Sequence, residues 1–289
     1  MIRIHRDRKA VPPAFTADSR RAKELTLLKA RRDHLVRLAS DPRAAHGYNS
    51  AWWKVAKPQL RIESHGKCAY CEARADAVAH CDVEHFRPKA IWWWLTCCWD
   101  NYVFACQLCN QTFKSDHFPL SGSPIAPVVV TSTTSDARLQ KLAGRLAPDP
   151  VIPAEITAWL KKLKREKSHL VDPASEDPEA LLAWEVDDEA SEISVIPRGG
   201  SKAVQRSVAA CIEFYGLNRE ELRQLRYEVF EGIDTARIAL AVAGLTVKNR
   251  RQLLKRLQRT IAPEHQFAGM CRYFIIDVWK LLPPEARGS

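Results

Sequence analysis

Two cysteine pairs, each with two residues between its members, constrain this chain more than any other feature: Cys68 with Cys71, and Cys106 with Cys109. A C-x-x-C turn can direct two thiolates at one ion, and two such turns complete a closed tetrahedral zinc site. Because thiolates would fill all four positions, we expect this zinc to be structural. The alternative is four cysteines packed in the core as small apolar residues, which two coincident pairs disfavour.

Thirty-four residues separate Cys71 from Cys106, more than a simple zinc ribbon contains. The sequence therefore predicts a structural unit inserted between the two cysteine turns. The remaining cysteines belong to neither pair, and we expect them to pack: Cys81, Cys97, Cys98, Cys211 and Cys271. The longest apolar run is too short to span a bilayer, and the first residues are charged where a signal peptide is apolar. These features predict reduced thiols, a cytoplasmic location and no membrane partner.

The net charge of +10 is unevenly distributed. Residues 1–60 contain fourteen Lys or Arg and five Asp or Glu, and the leucine spacing in residues 19–40 predicts a helix with a basic surface. Residues 171–193 contain nine acidic residues and no basic one, and their pattern predicts a β-hairpin. The basic excess favours a polyanionic partner. The acidic segment would face away from such a partner or meet a basic protein.

Five polar residues follow a recognisable order around the second cysteine pair. Glu84 and His85 lie in the insert, Asn101 lies just before the second pair, and Asn110 and Lys114 follow it. This order resembles the HNH endonuclease family. The resemblance implies a ββα-metal core, with the acidic residue and histidine on the first strand, an asparagine in the connecting loop and the third signature residue on a helix. The signature would here read His85, Asn101 and Asn110.

Hydrolysis of a phosphodiester needs an activated water and a positive charge beside the phosphate. A neutral His85 imidazole can act as the general base. Glu84 and the amide oxygen of Asn110 would hold one Mg²⁺ or Mn²⁺, with waters and phosphate completing the shell. By the family resemblance, Asn101 would fix the loop and orient His85. The candidates for contacts with neighbouring phosphates are Arg87, Lys89 and Lys114.

Several features depart from the commonest HNH pattern. Glu84 stands where aspartate is usual, and the spacing from Asn110 to Lys114 is one residue longer than N-x-x-K. Adjacent residues on a strand face opposite sides, so Glu84 and His85 can share a site only at a distorted strand end. His117 offers a second imidazole, which we interpret as a phosphate contact or surface residue. Taken singly, Glu84 is typical of a solvated hairpin charge and Asn101 of a helix cap.

A narrower resemblance rests on short motifs spread over most of the chain. They are similar to the HNH proteins of the PtuB type from Septu and retron-associated anti-phage systems: residues 67–72 (KCAYCE), 85–89 (HFRPK), 118–120 (FPL), 170–173 (LVDP) and 217–219 (LNR). The resemblance implies a partner ATPase of the ABC/SMC-like kind. The acidic segment or the C-terminal helices would form that interface.

The sequence thus predicts an α+β, mostly helical fold with an HNH core held by a four-cysteine zinc site. Its regions would be a basic helical segment (1–60), the nuclease core (61–125), a linker with the acidic hairpin (126–200) and C-terminal helices (201–289). The predicted function is a DNA endonuclease of an anti-phage system. The alternatives are an RNase of the same family, for example one that cleaves tRNA, and a non-catalytic zinc-stabilised module that binds nucleic acid or a partner. We expect the tryptophans at 92–94 and 99 to pack in the core rather than stack on bases.

Overall fold

The computed structural model describes residues 1–74 and 81–287, so residues 75–80 of the predicted nuclease core and the last two residues lie outside the described chain. The fold is α+β with two small antiparallel sheets. The helices are α1 (Ala17–Leu38), α2 (Ala51–Lys54), α3 (Lys57–Glu63), α4 (Asp136–Leu142), α5 (Pro153–Leu163), α6 (Lys202–Tyr215), α7 (Glu220–Ala241), α8 (Val247–Thr260) and α9 (Ala268–Arg272). The strands are β1 (Cys81–His85), β2 (Tyr102–Cys106), β3 (Leu182–Asp187) and β4 (Glu192–Pro197). Two π-helices cover Leu108–Lys114 and Tyr273–Val278.

The first sheet is the hairpin that carries the cysteine and histidine motifs. β1 and β2 pair from Cys81 opposite Cys106 to His85 opposite Tyr102. All five residues of β2 are buried, as expected for a strand of aromatic and β-branched residues that is covered on both faces. The π-helix Leu108–Lys114 follows directly, so the chain runs strand, strand, helix around the second cysteine pair.

The N-terminal helix forms where leucine periodicity predicts it, but its buried face is partly polar. Leu27 and Leu28 are fully buried, and Arg20, Glu24 and His34 are buried with them. Arg20 donates to Glu24 Oε1 at 3.0 Å, so the two charges enter the interior as a pair. Buried charges are tolerated when they are paired in this way.

The acidic hairpin forms as predicted, as β3 and β4. The sequence predicts a helix end at Gly216 and a helix N-cap at Asn218, which has Glu221 three residues later. α6 ends as predicted at Gly216, whose φ of 61° is the left-handed conformation that glycine adopts readily at a helix end. The N-cap prediction is wrong, because Arg219 occupies the N-cap position of α7. Asn218 instead accepts from the Val195 amide at 2.8 Å and donates to the Val195 carbonyl at 2.9 Å. The Asn218 side chain therefore bonds to the edge of β4 and not to the first turn of α7.

One hydrophobic cluster includes residues from both ends of the chain and from the hairpin between them, from Met1 through Phe104 to Ile276. A second, smaller cluster joins α1 to residues 92–98 and to α4. The four tryptophans at 92–94 and 99 are buried, as predicted. The five cysteines outside the C-x-x-C pairs are also buried, as predicted. Among the described residues, no helix combines the length and apolar content needed to cross a membrane.

Candidate metal centre and active site

The four cysteines of the two C-x-x-C turns converge as predicted. Cys68, Cys71, Cys106 and Cys109 are all buried, and their sulfur atoms lie within 4.8 Å of one another. Four thiolates at zinc–sulfur distances of about 2.3 Å fit within that spacing, so the cluster suits a tetrahedral zinc ion. Cys68 and Cys71 lie on the loop before β1, and Cys106 ends β2. The turn after β2 completes the cluster through Cys109 on the π-helix.

Arg219, at the start of α7, neutralises part of this sulfur cluster. Its guanidinium donates to Cys109 Sγ at 3.6 Å. Burial alone would lower the pKa of Arg219, but the nearby thiols of Cys109 and Cys71 raise it above its usual value. The Cys106 amide donates to Cys68 Sγ at 3.4 Å. Both contacts favour the thiolate form of the cysteines over the thiol form. The thiolate is the form that binds zinc.

Glu72, next to Cys71, connects the cysteine turn to the C-terminal region. It is 3% exposed and accepts from Lys67 Nζ at 3.2 Å and from the Gly269 amide at 3.2 Å. Burial alone would raise the pKa of Glu72, but the Met1 ammonium and Lys67 lower it to about 2. The charged carboxylate therefore holds α9 against the cysteine turn.

His85 ends β1, and its imidazole lies in a buried environment. Nε2 lies 3.1 Å from the Thr96 carbonyl, which also accepts from the Tyr102 hydroxyl at 2.6 Å. A carbonyl can only accept, so Nε2 carries the proton and Nδ1 keeps the free lone pair. Burial lowers the pKa of His85 to about 3. The ring is therefore neutral at physiological pH, with its tautomer and orientation fixed.

Two aromatic rings enclose this imidazole. The Trp53 ring of α2 meets it edge-on, with centroids 5.0 Å apart, and the Tyr102 ring lies 5.2 Å away. Lys89 places its ammonium 5.8 Å from the centre of the Trp53 ring. His85 itself is 4% exposed. The imidazole is therefore nearly closed to solvent, with Trp53 and Tyr102 packed against it.

Asn101 occupies the loop between the strands and holds the chain that follows His85. Its Oδ1 accepts from the Arg87 amide at 2.8 Å and its Nδ2 donates to the Arg87 carbonyl at 3.0 Å. Its own carbonyl accepts from the Phe86 amide at 2.8 Å. Both polar atoms of the side chain are thus engaged by Arg87, so Asn101 acts on His85 through the backbone of residues 86 and 87.

Glu84 faces a different neighbourhood from His85. Lys114, which is fully buried, lies 2.6 Å from Glu84 Oε1 and donates to the His85 carbonyl at 3.2 Å. Burial raises the pKa of Glu84, and the Lys114 ammonium opposes that rise. Because side chains alternate along β1, Glu84 and His85 point to opposite sides of the strand. Lys114 contacts both residues, through the Glu84 carboxylate and the His85 carbonyl.

The π-helix explains how Lys114 reaches this position despite its unusual spacing from Asn110. Ser115 donates its amide to the Asn110 carbonyl at 2.7 Å, an i to i+5 bond. Such a bond closes a turn with one more residue than an α-helix uses, which accommodates the additional residue. Asn110 itself is half-buried near the start of this helix.

Glu84, one of the two residues predicted to hold Mg²⁺ or Mn²⁺, is already paired with a cation in this arrangement. The Lys114 ammonium already neutralises the Glu84 carboxylate. Among the residues that the structure describes, the cysteine cluster is the only place where three or more His, Cys, Asp or Glu side chains come close enough to share an ion. A divalent ion at Glu84 would therefore have to compete with Lys114.

The other predicted phosphate contacts differ in exposure. Arg87 is 4% exposed, and its Nε donates to Glu166 Oε2 at 2.7 Å, so its charge is used inside the protein. Lys89 is half-buried beside Trp53. His117 is exposed and lies 4.9 Å from the Phe214 ring. Of the three, Lys89 contacts a ring that packs against the imidazole, Trp53.

Three residues that shape the site were not found from the sequence. Thr96 contributes a backbone carbonyl, which no side-chain pattern reveals. Trp53 lies outside the cysteine insert. Glu166 is fully buried and accepts from Arg87, from Trp92 Nε1 at 2.9 Å and from the Ile125 amide at 2.9 Å. A carboxylate in a basic helix carries no signal that would distinguish it from a solvated one.

Comparison with known proteins gives an informative similarity. Septu protein PtuB of Bacillus mycoides (strain KBAB4) is 24% identical over 226 residues, which cover 71% of this chain and 63% of that protein. The chain thus matches less than two thirds of the length of this relative. No family model matches the chain. No solved structure matches it either. The similarity supports a relationship to Septu proteins.

Proposed function

We propose that this chain is the nuclease of an anti-phage defence system and that it hydrolyses phosphodiester bonds in DNA. The similarity to Septu protein PtuB supports the defence role. The observation that carries the chemical part is the neutral His85 imidazole, with Nε2 bonded to the Thr96 carbonyl and Nδ1 free to accept a proton. A neutral imidazole with a free lone pair can accept a proton, and its basicity rises towards the ordinary value once the site opens to water or substrate, because burial is the largest cause of its lowered pKa.

In this proposal, His85 Nδ1 takes a proton from the water that attacks phosphorus, one ester P–O bond of the phosphodiester breaks, and the leaving oxygen takes a proton from solvent. Asn101 keeps the loop after His85 in place through its two bonds to the Arg87 backbone. Lys89 supplies positive charge beside Trp53. Because His85 is 4% exposed, the side chains that cover it have to move before substrate reaches Nδ1, and Trp53 is one of the rings packed against it.

The proposed metals are zinc at the four cysteines and Mg²⁺ or Mn²⁺ at Glu84 and Asn110. The zinc would be structural, since thiolates occupy all four positions. For Glu84 to bind a divalent ion, the Lys114 ammonium must first leave it. A requirement of cleavage for Mg²⁺ or Mn²⁺ therefore tests this part of the proposal separately from the role of His85.

We also propose an ATPase partner of the ABC/SMC-like kind. The exposed tip of the acidic hairpin offers a charged surface for a partner, with Glu185, Asp187, Asp188 and Glu189 all exposed. Such a surface repels nucleic acid and suits a basic protein face. Neutralising these four residues should weaken copurification of the two proteins and leave zinc content unchanged.

The test of the nuclease assignment compares His85→Ala with His5→Ala, a control at an exposed imidazole outside the proposed site. Each protein is incubated with plasmid, single-stranded DNA and tRNA in Mg²⁺ or Mn²⁺, with and without the ATPase. We expect wild type and His5→Ala to cleave DNA, and His85→Ala to lose about 10²-fold or more of the rate. Cleavage of tRNA alone would make the chain an RNase. Identical behaviour of wild type and His85→Ala on every substrate would reject the catalytic assignment.

A further inference from the structure

A cavity of about 520 Å³ lies between the start of α1 and α4, and the turn after α4 closes one side. Its lining is strongly basic, with a single carboxylate: Arg20, Arg21, Arg138, Lys141, Arg145 and Asp18. This volume is in the range of sites that hold small ligands. The neighbours of His85 named above are not among the residues that line it, so it is separate from the proposed catalytic site.

The walls of this cavity are fixed by buried bonds. Arg20 donates to Glu24 Oε1 at 3.0 Å and to the Ala147 carbonyl at 2.6 Å. Glu24 Oε2 accepts from the Gly144 amide at 2.6 Å and from the Leu146 amide at 3.2 Å. These bonds join α1 to the turn after α4. The shape of the cavity is therefore present before any ligand binds, which reduces the entropy cost of binding.

The charges that face the cavity are not used by the protein itself. Arg138, Lys141 and Arg145 are exposed, and none of them makes an ion pair with another described residue. Arg21 has only a 3.4 Å contact with the Gln140 carbonyl. Four cations from three segments thus converge on one concavity where Asp18 is the lone acid. This local excess of positive charge attracts anions into the space between them, most strongly at low ionic strength.

We propose that this cavity binds phosphate groups. Arginine presents parallel N–H donors that match the oxygens of a phosphate, and three of these four free cations are arginines. The apolar residues that line the cavity are the small Ala17 and Ala143, which offer little surface to a lipid chain or to a protein side chain. The phosphates could belong to a nucleic-acid strand or to a free nucleotide, and the shared chemistry is the phosphate anion.

The test measures binding of two probes, inorganic pyrophosphate and a fluorescent single-stranded oligonucleotide, to the full chain in EDTA. The test variant is Arg138→Gln/Lys141→Gln/Arg145→Gln. The control is Arg251→Gln/Lys255→Gln/Arg259→Gln on the exposed face of α8, which removes the same charge elsewhere. We expect the cavity variant to lose about tenfold or more in affinity for at least one probe, and the α8 variant to keep its affinity for pyrophosphate.

The outcomes separate the two sources of phosphate. If the cavity variant loses pyrophosphate binding, the site is assigned to free nucleotides. If it loses oligonucleotide binding alone, the site is assigned to a nucleic-acid strand. Equal affinities of wild type and the cavity variant for both probes would overturn the proposal. His85→Ala should bind like wild type, because the measurement needs neither cleavage nor a divalent ion. The proposed nuclease can therefore fail while this inference stands, and the reverse also holds.

Discussion

At the residue scale, the burial of His85 links protonation to stability. Its folded pKa is about 3, below the ~6.5 of an exposed imidazole. Between these values the unfolded chain binds the proton more readily, so this residue lowers the free energy of unfolding as pH falls from about 6.5 towards 3. We expect urea unfolding at pH 7.5 and pH 5 to differ more for wild type than for His85→Phe. Equal pH dependence in the two proteins would contradict a buried neutral imidazole.

The pair of Lys114 and Glu84 gives a second residue-scale prediction. Both side chains are almost completely buried, so Lys114→Met leaves a buried carboxylate without its counter-charge. We expect this variant to lose about 3–5 kcal/mol of unfolding free energy. Lys114→Met/Glu84→Gln removes the stranded charge and should recover much of the loss in urea titrations. If the single and double variants are equally unstable, the pairing does not contribute as described.

The same variant tests the divalent site without measuring cleavage. Lys114→Met removes the ammonium that competes for Glu84, so Mg²⁺ or Mn²⁺ should raise its melting temperature more than that of wild type. The matched control is Lys114→Met/Glu84→Gln, which lacks the proposed ligand. An equal shift in both variants would show that the ion binds elsewhere.

At the scale of elements, Asn101 joins the loop before β2 to the end of β1. Asn101→Ala removes both bonds to the Arg87 backbone, which is buried. We expect a loss of about 2–4 kcal/mol in unfolding free energy. Asn101→Asp replaces the donor with an oxygen that faces the Arg87 carbonyl at a buried site, so in urea titrations at neutral pH it should be at least as unstable as Asn101→Ala. An Asp variant clearly more stable than Asn101→Ala would contradict the bond from Nδ2 to the Arg87 carbonyl.

The elements that sequence predicted best are those whose signals are local. The acidic hairpin follows from alternation, and the end of α6 follows from Gly216. The cap of α7 was misassigned because the partner of Asn218 is Val195, which lies on a strand 23 residues earlier. The π-helix could not be predicted, since its wider turn depends on the burial of Lys114 against β1.

The cysteine cluster was predictable from the sequence, and the surroundings of His85 were not. The cysteine cluster needs only the spacing of four thiols, and it forms as predicted. The enclosure of His85 depends on Trp53 and on the Thr96 carbonyl, which approach through tertiary packing. The buried partner of Arg87 is Glu166, 79 residues away in sequence. Local patterns cannot report such contacts.

At the scale of the whole molecule, the cysteine cluster connects regions that are distant in sequence. Cys109 contacts Arg219 of α7, and Glu72 beside Cys71 bonds to Gly269 of α9. The four cysteines belong to the hydrophobic cluster that also contains residues from both ends of the chain. Loss of an ion from this cluster should therefore affect the entire core rather than the hairpin alone.

The resulting prediction concerns zinc and cooperative unfolding. Cys68→Ser removes one of four thiolates, and because a closed zinc site contributes to folding directly, we expect loss of bound zinc and of most soluble protein. Cys81→Ser, a buried cysteine outside the cluster, is the matched control and should retain zinc by metal analysis. Treating wild type with a chelator should shift tryptophan and far-UV signals together, in one transition, since the cluster shares its core with both ends of the chain. Normal stability without zinc would refute the structural role, and two separated transitions would show that the hairpin unfolds independently of the helices.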